Sequence, residues 1–85
     1  MHYVYVLQSE LTAGFYIGYS LDPEQRLVGH NSGKNISTKA GCPWRLIYFE
    51  AYTDKRDALS REKFLKSGSG RIYLHKQLRH FLDTP

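Results

Sequence analysis

The architecture of this chain is set by two short runs, Tyr-Val-Tyr-Val-Leu at residues 3–7 and Phe-Tyr-Ile-Gly-Tyr at residues 15–19. Aromatic and β-branched residues favour β-strands, and the connection between the runs contains Thr-Ala-Gly at 12–14, which suits a turn. The pattern predicts an antiparallel β-hairpin. Because side chains alternate along a strand, the pairing register decides whether Tyr5 and Tyr16 meet.

A helix is predicted from Pro23 to about Asn31. Asp22 is a favourable N-cap residue, Pro suits the first helical position, and the Ser-Gly pair after the helix ends it. Arg26 and His30 are four residues apart, so they lie on one face of this helix. Both can therefore contact a single ligand.

The rest of the chain is predicted to contain a loop, a strand and two helices. Residues 32–43 combine Gly, Lys and Pro without apolar periodicity, which predicts a mobile surface loop. Residues 44–52 are apolar on both alternating faces, as in a strand covered on both sides. Helices are predicted over 53–66 and, beyond the Ser-Gly-Ser-Gly break at 67–70, up to about Leu82.

Length and composition predict one small domain over residues 1–85. The chain has 85 residues, 41% of them hydrophobic and 14% aromatic, which argues against disorder. A single cysteine excludes an internal disulfide, and no Cys/His cluster has the spacing of a structural zinc site. No apolar run reaches the about 18 residues of a membrane span. We therefore expect no membrane association and a reducing, cytoplasmic setting.

Positive charge is concentrated in the C-terminal third. Residues 1–54 carry four Lys and Arg against five Asp and Glu, whereas residues 55–85 carry eight against three. A field of one sign attracts a polyanion such as nucleic acid. A solvated helix face explains the same charges equally well.

Glu62 lies on the apolar stripe of its predicted helix, between Ala58 and Leu65. A carboxylate on such a face needs a cation, because an unpaired buried charge costs several kcal/mol. One interpretation is an ion pair with an arginine such as Arg26 or Arg61. The other is a ligand for a divalent ion such as Mg²⁺ or Mn²⁺, which is often held by one or two carboxylates plus water and phosphate oxygens.

Most of the seven tyrosines are expected to pack at the edges of the core. Tyr5 and Tyr16 differ because the neighbouring helix offers Arg26 and His30. A cation close to a phenol favours the phenolate, which makes these tyrosines candidate general bases.

These elements occur in an order that resembles the GIY-YIG endonuclease superfamily, and in particular its small standalone bacterial members. The residues that carry the resemblance are Tyr-Val-Tyr at 3–5, Tyr-Ile-Gly at 16–18, Arg26, His-Asn at 30–31 and Arg-Glu-Lys at 61–63. The first signature reads Tyr-Val-Tyr in place of Gly-Ile-Tyr. The resemblance spans nearly the whole chain.

The resemblance implies an α+β fold in which helices flank a three-stranded antiparallel sheet, in the order β-β-α-β-α-α. It also implies phosphodiester hydrolysis assisted by one divalent ion, Mg²⁺ or Mn²⁺. Glu62 matches the family's metal ligand, and Arg26 matches the arginine that holds the scissile phosphate. Tyr16 matches the tyrosine that activates the attacking water, with Tyr5 supporting or sharing that role. His30 would relay a proton or orient a tyrosine.

The expected partner is nucleic acid, DNA rather than RNA, with single-stranded and branched DNA among the substrates. No obligate protein partner is evident. The basic side chains predicted to contact phosphates are Lys34, Lys39, Lys63, Lys66 and Arg71. Asn35, Ser37 and Thr38 can add hydrogen bonds from the loop. The alternative is a nucleic-acid-binding module of the same fold that does not cleave, and a purely structural role for Glu62 is a third interpretation.

Overall fold

The computed structural model describes residues 1–84 and has the predicted α+β class. Its three strands are β1 (His2–Ser9), β2 (Phe15–Ser20) and β3 (Trp44–Tyr52). Its helices are α1 (Pro23–Asn31), α2 (Ile36–Lys39), α3 (Lys55–Leu65), α4 (Gly68–Gln77) and α5 (Arg79–Leu82). The strands form one antiparallel sheet in the order β2-β1-β3. No helix within residues 1–84 combines the length and apolar character needed to cross a membrane.

The predicted hairpin is confirmed, and its register brings the two signature tyrosines together. Tyr5 pairs with Gly18, and Leu7 pairs with Tyr16. Tyr5 and Tyr16 are therefore diagonal neighbours on one face of the sheet, with ring centroids 6.4 Å apart. The opposite face of β1 carries Val4 and Val6.

The hydrophobic core lies between this second face of the sheet and helices α3 and α4. Val4 and Val6 pack there with apolar side chains of β2, α3 and α4, which are Ile17, Ala58, Leu65 and Leu74. All six side chains are buried. Both faces of the central strand β1 are covered, because α3 packs on this face and α1 on the opposite one.

The prediction that β3 is covered on both sides is wrong. β3 is an edge strand, and Phe49 is 54% exposed. The register between β1 and β3 shifts between Val6 and Leu7, so the sheet is irregular at this point. The continuous apolar run reflects side chains that are only partly buried, since Leu46, Ile47 and Tyr48 are all intermediate in exposure.

The prediction that residues 32–43 form a mobile loop is also wrong in part, because this segment contains α2. Asn35 caps α2 by accepting a hydrogen bond from the backbone N–H of Ser37, and Thr38 is buried within it. A helix of four residues is too short to produce an apolar period that the sequence would reveal.

At the C-terminus, the predicted break at 67–70 is the start of a helix. Ser67 caps α4 by accepting from the N–H of Gly70. A Cβ atom at Gly70 would collide with the backbone of Phe64 and Leu65, so this glycine allows α4 to approach α3 closely. The helix predicted to end near Leu82 is divided into α4 and α5.

A polar network joins α3 to β3. The guanidinium of Arg61 contacts both carboxylate oxygens of Glu50, at 2.9 and 3.1 Å. The hydroxyls of Tyr48 and Tyr52 donate to the same carboxylate. Arg61 also lies over the ring of Tyr73 on α4. The network ties α3 and α4 to the edge strand.

Candidate active site

Three of the predicted site residues meet where α1 crosses the sheet. The hydroxyl of Tyr5 lies 3.2 Å from Nε2 of His30, and the ring of Tyr16 lies 4.7 Å from the His30 ring. Tyr5 and His30 are buried, whereas Tyr16 is half-buried. Of the two tyrosines, Tyr16 is the one that solvent reaches.

Gly18 makes the position of Tyr5 possible. A Cβ atom at residue 18 would lie 2.5 Å from the hydroxyl oxygen of Tyr5 and 2.6 Å from Cζ. Any side chain there would displace the phenol from His30. The glycine of the Tyr-Ile-Gly signature is thus explained by the phenol ring of Tyr5, which occupies the space that a side chain at residue 18 would need.

Thr38 extends the cluster on the far side of His30. Its Oγ1 lies 2.8 Å from Nδ1 of His30, and its side chain is buried. The sequence presented Thr38 as a loop hydroxyl available to nucleic acid, and the structure assigns it instead to the interior of the site. The only sequence signal for this placement is Asn35, a good N-cap residue, three positions earlier.

Hydrogen bonds fix the end of α1 against α2 and β3. The side chain of Asn31 donates to the carbonyl of Trp44 at 2.8 Å and accepts from the N–H of Trp44 at 2.6 Å. The indole N–H of Trp44 donates to the carbonyl of Thr38 at 2.7 Å. The Cys42 thiol donates to the carbonyl of His30. These contacts hold His30 and Thr38 in place relative to the sheet.

An open cleft lies between α1 and α2, next to the tyrosine cluster. Its volume is about 760 Å³, and Arg26, His30 and Lys34 contribute to its lining. Arg26 and Lys34, two of the residues predicted to contact phosphate, are exposed cations that both line this cleft. Gly29 leaves open space on the cleft side of α1, since no atom lies within 4 Å of its ideal Cβ position.

The surroundings of Tyr5 and His30 favour the neutral forms of these two side chains. Burial raises the pKa of Tyr5, Arg26 opposes that rise, and the negative charge of Glu62 adds to it. Burial and the positive charge of Arg26 both lower the pKa of His30. Both shifts favour the neutral forms, a protonated Tyr5 and an uncharged His30 imidazole.

Glu62 lies on the core-facing side of α3, as predicted, between the buried Ala58 and Leu65. Its side chain is 19% exposed and pairs with Lys66 at 3.1 Å. Neither arginine proposed as its partner fills that role, since Arg61 pairs with Glu50. Glu62 lies close enough to Tyr5 for its charge to affect the tyrosine's pKa.

The donor set at Glu62 suits a hard divalent cation. One carboxylate that is not fully buried leaves coordination positions for water and phosphate oxygens, which is how Mg²⁺ is usually bound. Lys66 is 54% exposed, so its ammonium group can leave the carboxylate without disturbing the core. No group of three or more His, Cys, Asp and Glu ligands occurs within the described residues, so a closed zinc-type site does not fit there.

The remaining predicted phosphate contacts are surface side chains. Lys39 is the last residue of α2, and its Cγ lies 3.9 Å from the ideal Cβ position of Gly33, next to the cleft residue Lys34. Lys63 and Arg71 are exposed on α3 and α4. No side-chain hydrogen bond found within residues 1–84 ties Lys63 or Arg71 to the tyrosine cluster. Lys66, by contrast, is connected to the site through Glu62.

The fold and the site define the class of protein. The family model for the GIY-YIG catalytic domain matches residues 1–77 of this chain. The chain therefore belongs to the GIY-YIG family, and the resemblance found in the sequence motifs is confirmed. Membership places residues 1–77 in a family of catalytic domains whose general activity is that of a nuclease.

Relatives with the same small domain carry the name UPF0213 protein. One from Streptococcus pneumoniae is 43% identical over 65 residues, which are 75% of this chain and 65% of that protein. Another from Staphylococcus epidermidis is 39% identical over 67 residues, covering 78% of this chain and 80% of the relative. The chain thus spans slightly less than two thirds of the pneumococcal protein. No solved structure matches the chain.

Proposed function

We propose that this protein is a divalent-metal-dependent endonuclease that hydrolyses phosphodiester bonds in DNA. The observation that carries the proposal is the meeting of Tyr5, Tyr16 and His30 beside a cleft lined by Arg26 and Lys34. A domain that only bound nucleic acid would have no need for a buried tyrosine–histidine pair next to its cationic cleft.

Each residue has a role that follows from its position. Arg26 and Lys34 hold the phosphate in the cleft, and Arg26 also offsets the charge that develops in the transition state. Tyr16 orients the attacking water, because it is the tyrosine that solvent reaches. To act as the general base it first releases its own hydroxyl proton to solvent, and the resulting phenolate then accepts the proton of the attacking water. Tyr5 and His30 support Tyr16 from the buried side.

Glu62 is the residue that would hold Mg²⁺ or Mn²⁺, with Lys66 released from its ion pair. When bound, the ion polarises the phosphoryl oxygen and stabilises the leaving oxygen. Lys66 is then free to contact a neighbouring phosphate. It would thus contact Glu62 in the metal-free protein and a phosphate, as the sequence predicts, when the metal and DNA are bound.

The test is cleavage of end-labelled single-stranded, duplex and branched DNA by purified protein in Mg²⁺, Mn²⁺ or EDTA. The matched control is Glu62→Gln, which keeps the shape of the side chain and removes its charge. We expect cleavage that requires metal and falls at least about 100-fold in the variant. The substrate cut fastest names the preferred DNA structure.

Two other outcomes have clear meanings. Wild-type protein that binds DNA equally with metal and with EDTA, and cuts none of it, would replace the nuclease with a binding module. A loss of unfolding free energy of about 3 kcal/mol or more in Glu62→Gln would give Glu62 a structural role. The exposed pair with Lys66 predicts a change below about 0.5 kcal/mol.

A further inference from the structure

Thr38 closes a chain of three buried polar side chains that begins at Tyr5. Tyr5, His30 and Thr38 are 0%, 2% and 1% exposed. Because water does not reach these groups, each of their protons must find its acceptor inside the protein. The direction of every hydrogen bond in the chain can therefore be worked out.

The direction is set at the Tyr5 end. Nε2 of His30 lies 3.2 Å from the Tyr5 hydroxyl. Within residues 1–84, it is the one partner found for this hydroxyl that can accept a proton. Arg26, the cation beside Tyr5, has only donors and cannot accept. Tyr5 therefore donates to His30, and Nε2 is the unprotonated nitrogen of the ring.

The same direction continues through Thr38. A neutral imidazole with a bare Nε2 carries its proton on Nδ1, which donates to Oγ1 of Thr38 at 2.8 Å. The Thr38 hydroxyl donates its own proton to the carbonyl of Asn35, at 3.4 Å. Burial and Arg26 lower the pKa of His30, which keeps the ring neutral. The reverse direction would leave the buried proton of Tyr5 without an acceptor.

We propose that Thr38 is a positioning residue that holds His30 in the Nδ1-protonated tautomer, so that Nε2 accepts the hydroxyl proton of Tyr5. The tautomer is a property of the free protein. Its consequence for cleavage rests on the proposed nuclease function. The indole of Trp44 donates to the backbone carbonyl of Thr38 and so holds this residue against the start of β3.

Nitrogen-15 NMR of the histidine rings in metal-free protein at neutral pH tests the tautomer directly. His30→Gln identifies the His30 signals among those of the four histidines. Wild type and Thr38→Ser should both show a protonated Nδ1 and a bare Nε2. Thr38→Val has the shape of threonine without the acceptor. Either tautomer then leaves one buried donor unpaired, Nδ1–H of the ring or the Tyr5 hydroxyl, so the Nδ1-protonated form should give way to a mixture of the two tautomers.

A wild-type ring protonated on Nε2 would overturn the proposal, as would an unchanged tautomer in Thr38→Val. Should Thr38→Val fail to fold, the tautomer in wild type and in Thr38→Ser still decides the question. Circular dichroism melting of the three proteins identifies that case.

Cleavage kinetics supply the functional test. Thr38→Val should lower kcat by about 10- to 100-fold with KM unchanged, as for other hydrogen bonds that orient a functional histidine, and Thr38→Ser should restore it. Equal kcat in Thr38→Val and wild type would overturn the positioning role. A wild-type protein that cuts no DNA would overturn the nuclease proposal alone, since the NMR result stands without it.

Discussion

Two tyrosines from adjacent strands lie in one site but in different surroundings. Tyr5 is enclosed, its hydroxyl contacts His30, and burial raises its pKa. Tyr16 is half-buried and packs between the rings of His30 and Trp44. A general base must reach the water that it activates. Because solvent reaches Tyr16 and not Tyr5, access favours Tyr16 as the base.

Removing each hydroxyl should therefore have unequal effects on cleavage. Tyr16→Phe is expected to lower the single-turnover cleavage rate by about 10²- to 10⁴-fold, the usual contribution of general base catalysis. Tyr5→Phe deletes a supporting hydrogen bond and should cost about 10-fold. Single-turnover assays with the same DNA substrate measure both. A larger loss in Tyr5→Phe would make the buried tyrosine the base.

At the scale of secondary-structure elements, the site depends on how α3 is held to the sheet. Glu62 projects from α3, and the residue just before it, Arg61, connects α3 to Glu50 on β3. Burial alone would raise the pKa of Glu50, but hydrogen bonds from Arg61, Tyr48 and Tyr52 outweigh it and lower the pKa. Burial and this carboxylate raise the pKa of Tyr52 to about 12.

Glu50→Gln should destabilise the fold by about 2 kcal/mol or more, because Arg61 would be left partly buried without a counter-ion. Chemical denaturation at pH 7 measures the change. Lys66→Gln is the matched control, since it breaks an exposed ion pair on the same helix and should cost below about 0.5 kcal/mol.

The same network predicts the sign of the pH dependence. The pKa of Glu50 is lower in the folded protein than the ordinary value of 4.5. Its contribution to stability is therefore present above about pH 4.5 and is lost as the pH falls through the folded-state pKa. The loss of unfolding free energy on acidification should be smaller in Glu50→Gln. Equal losses in the two proteins would mean that Glu50 is not the group responsible.

At the scale of the whole molecule, positive charge occupies two regions. One is the cleft between α1 and α2, with Arg26 and Lys34. The other is the surface of α3 and α4, where Lys63 and Arg71 are exposed. A domain this small has little other surface with which to hold a polyanion, so we expect both regions to contact phosphates.

The salt dependence of DNA binding shows which of these two regions contacts phosphates. Each lost phosphate contact should reduce the slope of log K against log salt by about 0.7 for single strands. Two double variants test the two regions, and each should lower the slope by about 1 to 2. One combines Lys34→Gln with Lys39→Gln, and the other combines Lys63→Gln with Arg71→Gln. Fluorescence anisotropy in EDTA measures binding without cleavage. A slope unchanged by the second pair would assign the C-terminal charges to a solvated helix face.

Local signals in the sequence were sufficient for the hairpin, for α1 with its Asp22 cap, for the presence of α3 and for the extent of β3. These features depend on neighbouring residues, so they can be inferred from one chain. The family, and with it the candidate residues Tyr5, Tyr16, Arg26, His30 and Glu62, also followed from motif order and spacing.

Only the tertiary structure decided what depends on contacts between distant residues. α2 and the burial of Thr38 arise from hydrogen bonds to His30 and Trp44, which lie 8 and 6 residues away from Thr38. The partner of Arg61 is Glu50, 11 residues earlier, because the fold brings α3 against β3. The burial that keeps Tyr5 protonated likewise comes from the packing of α1 onto the sheet. Motif order and spacing in the sequence predicted the candidate site residues, whereas three-dimensional packing added Thr38 to them and set the hydrogen-bond partners of Tyr5 and His30.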